Sequence, residues 1–141
     1  MLVRQVPVCK NCPYYTFDIQ LKINNVKLNI FDIDFVAEIG KRIAAIAELK
    51  RYYNAASYKY FSIPAHQYVG YKKVAKSLRC DLYLIIYDGV HYYVSEIDRF
   101  SWKKSVSLNG KRVILFPRES FRVFNELEFM EFWVTEYGEH L

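Results

Sequence analysis

The sequence predicts an α/β domain of mixed α+β type over residues 1–141, with a central mixed β-sheet flanked by helices. Three observations carry that prediction. Apolar residues alternate with period two from Tyr15 onward and again over 81–97, as half-buried strands do. The stretch Arg42–Arg51 is apolar on both sides (Ile43, Ala44, Ala45, Ile46, Ala47, Leu49), which marks an interior strand covered on both faces. Between those regions, and again near the C-terminus, apolar residues recur at helical spacing. A length of 141 residues fits one domain enclosing one core.

Composition narrows the function classes. Twenty basic against 15 acidic residues give a net charge of +5, which favours a polyanionic partner without specifying one. No apolar run approaches the roughly 18 residues of a membrane span, and the first 13 residues lack a signal-peptide pattern. An intracellular, non-membrane protein is the expectation. Cys9, Cys12 and Cys80 are too few and too uneven for a disulfide framework. A structural metal on Cys9-x-x-Cys12 would have to recruit Cys80 and a distant ligand such as His66, so free thiols are expected.

Residues 1–13 contain Pro7 and Pro13 and read as an irregular arm or a short edge strand. Phe17, Ile19, Leu21 and Ile23 then alternate with polar residues, and the pattern resumes after Asn24-Asn25 as Val26, Leu28 and Ile30. A two-residue hairpin there pairs Ile23 with Val26, Leu21 with Leu28 and Ile19 with Ile30. At Ile30-Phe31 the phase shifts by one, as a β-bulge or sharp twist would cause. The shift turns Asp32 and Asp34 to the face opposite Phe31, Ile33 and Phe35.

The strand Arg42–Arg51 follows a turn at Gly40-Lys41 and ends with Glu48 and Lys50 on one face. Asp34 joins them only if antiparallel partners sum to 82, which calls for a three- or five-residue turn around Gly40–Arg42. A two-residue turn would set Asp34 opposite Ala47. Residues 54–60 read as a Tyr-rich loop. A helix is expected from an N-cap at Ser62, with Pro64 in its first turn, to about Arg79. Ala65, Tyr68, Val69, Ala75 and Leu78 form its apolar stripe, and Lys72, Lys73, Lys76 and Arg79 a basic side suited to phosphates or to solvent.

Strands at Asp81–Tyr87 and His91–Ile97 flank the tight turn Asp88-Gly89. Residues 100–110 read as a loop and Lys111–Phe116 as a short strand. Asn125 caps a last helix, with Glu128 placed for a capping box. That helix carries Leu127, Phe129, Met130, Phe132, Trp133 and Tyr137, enough apolar surface to predict a homodimer, though a core-facing helix accounts for it equally well.

Phosphodiester hydrolysis at neutral pH needs charge neutralisation at the phosphate and an activated water. Mg²⁺ or Mn²⁺ supplies both when carboxylates hold it with coordination positions open. Asp34 and Glu48 on neighbouring strands suit such an ion, with the main-chain carbonyl of Leu49 as a further ligand. Lys50 can orient the water and stabilise developing charge. Glu48-Leu49-Lys50 is a short motif, but it ends a nearly all-apolar strand, where charges are costly unless paired or metal-bound. A structural salt bridge among Asp32, Asp34, Glu48 and Lys50 is the competing explanation.

The order Asp34, thirteen residues, Glu48-x-Lys50 on a hairpin resembles the PD-(D/E)xK nuclease superfamily. Gln67-Tyr68-Val69-Gly70-Tyr71, on the next helix, is similar to the Q-x-x-x-Y motif of the RecB-like nucleases, and the hairpin over 81–98 resembles the last core strands of archaeal Holliday-junction resolvases. The resemblance implies a restriction-endonuclease-like core and a Mg²⁺-dependent DNA nuclease. It implies catalytic roles for Asp34, Glu48, Lys50, Gln67 and Tyr71, and metal ligation by Asp34, Glu48 and Leu49. Relatives carry a further acidic or His ligand upstream. Residues 1–15 offer none, leaving Asp18 or Asp32 to substitute, and three cysteines do not make the four-cysteine iron–sulfur site of some RecB-like exonucleases. A non-catalytic nucleic-acid-binding or assembly module on the same fold is the alternative.

Overall fold

The computed structural model describes residues 34–39, 41–98 and 103–138, together with the backbone of 2–5, 22–23 and 26–27. In chain order the strands begin with β1 (Leu2–Gln5), β2 (Lys22–Ile23), β3 (Val26–Lys27), β4 (Phe35–Ile39), β5 (Arg42–Arg51) and β6 (Tyr60–Pro64). Helix α1 (Ala65–Leu78) follows, then β7 (Asp81–Tyr87), β8 (Tyr92–Glu96), β9 (Lys104–Leu108), β10 (Lys111–Pro117), β11 (Arg122–Phe124) and helix α2 (Glu126–Tyr137). The fold is mixed α+β. Its central six-stranded sheet runs β1-β4-β5-β7-β8-β11, and β5 pairs parallel with β7 while its other pairings are antiparallel.

Parallel neighbours require a crossover, and α1 supplies it between β5 and β7. Apolar side chains of the central strands therefore meet cover on both faces. On one face Val36, Ile46, Leu82, Leu84 and Ile86 pack with Tyr68, Tyr71, Val74 and Ala75 of α1 and with a small sheet ordered β6-β10-β9. On the other, Phe35, Ala37, Ala45, Ala47, Tyr83 and Ile85 receive Phe129, Phe132 and Trp133 of α2. Trp133 is completely buried and stacks or edges against Phe35, Tyr83, Phe129 and Phe132. The small alanines of β5 on that face leave room for these rings.

The register of β4 against β5 decides where Asp34 lies. Phe35 pairs with Ala47, Val36 with Ile46 and Ala37 with Ala45, but Glu38 pairs with Ile43 and Ile39 with Arg42. One extra residue, Ala44, is therefore bulged out of the ladder. Only two residues separate Ile39 from Arg42, so the three- or five-residue turn expected from the sequence is replaced by a short turn plus a bulge. The bulge restores the sum of 82 over the upper hairpin and carries Asp34 to the level of Glu48.

Several sequence expectations are corrected. The helix does not start at Ser62: Tyr60–Pro64 pairs antiparallel with β10, burying Phe61 and Ile63, and Pro64 is the residue before the first helical turn. Tertiary pairing overrides the capping signal of Ser62, whose amide accepts no helical role and instead donates to the Tyr52 hydroxyl at 3.1 Å. Tyr71 and Val74, not Val69, complete the buried stripe of α1; Val69 is half exposed. Arg79 ends the helix in the left-handed region, with φ of 53°. The loop expected over 100–110 contains β9, whose Lys and Ser residues lie exposed on the edge of a hairpin closed at Asn109-Gly110. Positive φ at both residues, 52° and 77°, is the pattern of a two-residue hairpin turn. Strand β11 has no counterpart in the sequence reading.

Other expectations hold among the described residues. Residues 2–5 form an edge strand on β4, and Ile23 pairs with Val26. At Asp88-Gly89 the carboxylate accepts from the amides of Val90 and His91, and Gly89 takes φ of 101°. Asn125 and Glu128 form the capping box of α2. No helix among the described residues is long and apolar enough to cross a membrane. Cys80 is buried and unpaired by disulfide. The pairings Leu21–Leu28 and Ile19–Ile30, the phase shift at Ile30-Phe31, Cys9, Cys12, Asp18 and Asp32 lie outside the described residues.

Candidate active site

Four of the five side chains singled out as catalytic converge where β4, β5 and α1 meet. Residues 34, 36, 46, 48 and 50 project from one face of the sheet, the face that α1 covers. Asp34 precedes β4, and its Oδ2 accepts a hydrogen bond from the backbone N–H of Leu49 at 3.1 Å. An antiparallel residue directs its N–H and C=O to the same neighbour. The Leu49 carbonyl thus opens on the same edge of β5 as Asp34.

Glu48 is 7% exposed, unusually low for a carboxylate. The hydroxyl of Tyr71 donates to its Oε2, and the Lys50 ammonium lies 3.8 Å from its Oε1. Asp34 lies close enough to Glu48 to feel its charge. Burial, and then the neighbouring charge of Glu48, push the Asp34 carboxyl up from the usual carboxylate range to about 7. The Leu49 amide and Lys50 oppose that shift without cancelling it. Burial and the charges of Glu48 and Asp34 raise the Tyr71 hydroxyl, so it stays a neutral donor.

Gln67 sits one turn before Tyr71 on α1, which places both on one side of the helix. Its Oε1 is buried and has no hydrogen-bond partner among the described residues. A buried acceptor left open in this way is costly unless something else satisfies it. The basic residues Lys72, Lys73, Lys76 and Arg79 are all exposed on the outer side of α1.

Two neighbouring carboxylates and an adjacent main-chain carbonyl, beside a lysine, make an oxygen-rich donor set. Hard divalent cations such as Mg²⁺ and Mn²⁺ prefer such donors, so the residues fit. A third carboxylate does not join them among the described residues. The three-acid group that does form, Asp81, Glu96 and Asp98, lies at the start of β7 and the end of β8. There Asp81 accepts from the Tyr137 hydroxyl at 2.6 Å, which in turn is 2.7 Å from the Tyr83 hydroxyl. Nearby Cys80 is pushed up to about 12 by burial and by Asp81 and Asp98, so its thiol is inert at neutral pH. Sequence reading missed this group because its members come from two strands and a bend.

Comparison of the chain with protein-family models, curated proteins and solved structures returned no significant match.

Proposed function

We propose that this chain is a Mg²⁺- or Mn²⁺-dependent DNA nuclease with a restriction-endonuclease-like core. The proposal rests on one observation: Asp34 and Glu48 meet across β4 and β5, beside Lys50, under the helix that supplies Tyr71. The resemblance to PD-(D/E)xK nucleases is carried by these residues and by Gln67. A mixed sheet flanked by helices, with the acidic hairpin leading into the Gln67–Tyr71 helix, agrees with what that resemblance implies.

Asp34, Glu48 and the Leu49 carbonyl would hold the ion in place of the proton that Asp34 keeps. When bound, the ion neutralises charge on the scissile phosphate and generates a nucleophilic water at neutral pH. Tyr71 fixes one oxygen of Glu48, which leaves the other aimed outward. The Lys50 ammonium orients the attacking water and stabilises charge developing on the phosphate. Gln67 offers its open Oε1 to a donor on the water or on the substrate. Lys72, Lys73, Lys76 and Arg79 attract the DNA backbone along the outer side of α1. Junction-resolving endonuclease and RecB-like exonuclease activities are the two subclasses the motifs favour.

A labelled substrate panel of four-way junctions, flaps, duplex and single strands, with Mg²⁺ or Mn²⁺, tests the proposal. Lys50→Ala and Asp34→Asn should each reduce cleavage by about a hundredfold or more, the scale expected when a charged group acting in the transition state is lost. Wild-type cleavage by Lys50→Ala, together with no Mn²⁺ binding in calorimetry, would sink it. The ligand count supports a second reading, a non-catalytic nucleic-acid-binding or assembly module, because only two carboxylates face the site among the described residues. That module binds DNA equally with and without divalent metal and cleaves none of the panel.

A further inference from the structure

We infer that the cavity beside the C-terminal half of α1 binds a backbone phosphate of nucleic acid, with the Tyr68 hydroxyl as its donor. The inference rests on the nuclease reading for the source of the phosphate, but its evidence lies elsewhere in the fold. The cavity measures about 540 Å³ and is lined by Tyr68, Lys72, Lys73, Lys76 and Arg79, with Asp98 and Cys80 at one side. Four cations therefore face one carboxylate, and the balance favours an anion.

Basic side chains on a helix are often no more than a solvated surface. Tyr68 separates this case from that one. It is 4% exposed, and its hydroxyl is buried with no hydrogen-bond partner among the described residues. Its ring packs edge-on against Phe116, within the core cluster beneath α1. A buried hydroxyl without a partner is unfavourable in the free protein, so phenylalanine would serve the core better. The polar atom is useful only if a ligand reaches it.

The cations around it are already gathered. The Lys72 ammonium lies 5.3 Å from the centre of the Tyr68 ring, and the ammonium of Lys103, the residue before β9, lies 5.4 Å away. Cation–π attraction holds both near the ring whose hydroxyl is open. A phosphate accepting from Tyr68 would find two ammonium groups within reach, plus Lys76 and Arg79 at the rim. Tyr68 and Tyr71 are three residues apart and hence neighbours on the helix, with Cβ atoms roughly 5–6 Å apart. One strand of nucleic acid can therefore pass from Glu48 to this cavity along a single helix.

The test is Tyr68→Phe in the full chain, with DNA binding followed by fluorescence anisotropy in EDTA so that the Asp34–Glu48 site takes no part. DNA affinity should fall about tenfold, as expected for loss of one hydrogen bond to a charged group. Thermal stability without DNA should stay level or rise, because an unsatisfied group has been removed. The slope of log affinity against log salt should persist in Tyr68→Phe and drop by about one in each of Lys72→Ala and Lys76→Ala. Undiminished DNA binding by Tyr68→Phe overturns the inference, and so does a lower melting temperature, which would show that the hydroxyl is already satisfied. Inorganic phosphate supplies the second arm. Phosphate binding that needs Tyr68, in a protein that binds no DNA, overturns the assignment to a nucleic-acid backbone and leaves a free phosphorylated ligand. Mn²⁺ calorimetry on the same variants reads the Asp34–Glu48 site separately, so failure here and failure of the nuclease reading are distinguishable.

Discussion

Asp34 keeps its proton above the ordinary carboxylate range because it is buried beside the charge of Glu48. The Asp34 carboxyl lies at about 7, against an ordinary value of 3.8. Between those values the folded protein keeps a proton that the unfolded chain has released. Stability without metal therefore falls as pH rises from about 4 to about 7. A divalent ion displaces the proton, so metal affinity should rise over the same window and level off above it. Thermal melts in EDTA should show the decline, and Asp34→Asn should flatten it; matching pH profiles for wild type and variant would refute this account. Tyr71→Phe takes the donor from a buried carboxylate and should cost about 1–3 kcal/mol in urea titrations. The partnership of Glu48 with Lys50 was legible because two charges end an apolar strand. The open hydroxyl of Tyr68 was not, since a tyrosine on an apolar stripe gives no sign of what its oxygen meets.

The β4–β5 hairpin shows how one element sets the site. Alternating apolar residues indicated the side on which Asp34 lies and a run apolar on both sides located β5, but neither carried information on how the register would be reached. Ala44 is one of a run of small apolar residues, and nothing in its identity marks it as the bulge. Deleting Ala44 should remove the unpaired residue and make the ladder regular, with Ala37 still opposite Ala45 and Asp34 still at the level of Glu48. Metal-dependent stabilisation, which reaches about 2.7 kcal/mol at a hundred times Kd, should then persist, while circular dichroism still reports a folded sheet. Lost stabilisation in the deletion variant would mean that the local twist at the bulge, and not register alone, places Asp34. The hairpin with Asp-Gly at its tip was readable locally, whereas the β9–β10 hairpin at Asn109-Gly110 reads from sequence as a loop and a strand, and β6 and β11 form through partners distant in sequence. Ser62 carries a helix-cap signal, yet its strand is claimed by β10.

At the scale of the whole molecule the two faces of the central sheet serve different ends. The α1 face carries the acidic hairpin and the exposed lysines. The α2 face is sealed by aromatic packing, and Trp133→Ala should cost about 3–5 kcal/mol in chemical denaturation. Outside that seal, Leu127, Met130 and Val134 stay exposed at 69%, 47% and 59%. Their spacing makes one ridge along α2, and the homodimer expected from the sequence becomes a proposal about this ridge. Sedimentation should show self-association that Met130→Glu with Val134→Glu removes; equal sedimentation of both proteins would place the ridge on no self-contact. The homodimer and the core-facing helix were weighed as alternatives from sequence, and α2 has surface for both, since its other side carries Phe129, Phe132 and Trp133.

The link from Tyr71 to Glu48 also ties the motion of α1 to the charge state of the sheet beneath it. A helix fastened to a carboxylate opens more readily when that carboxylate is preoccupied elsewhere and less readily when the pair is neutralised. Amide hydrogen exchange along residues 68–78 should therefore slow on metal addition, although none of those amides touches the ion. The helix would then act as a gauge of site occupancy, readable without substrate or turnover.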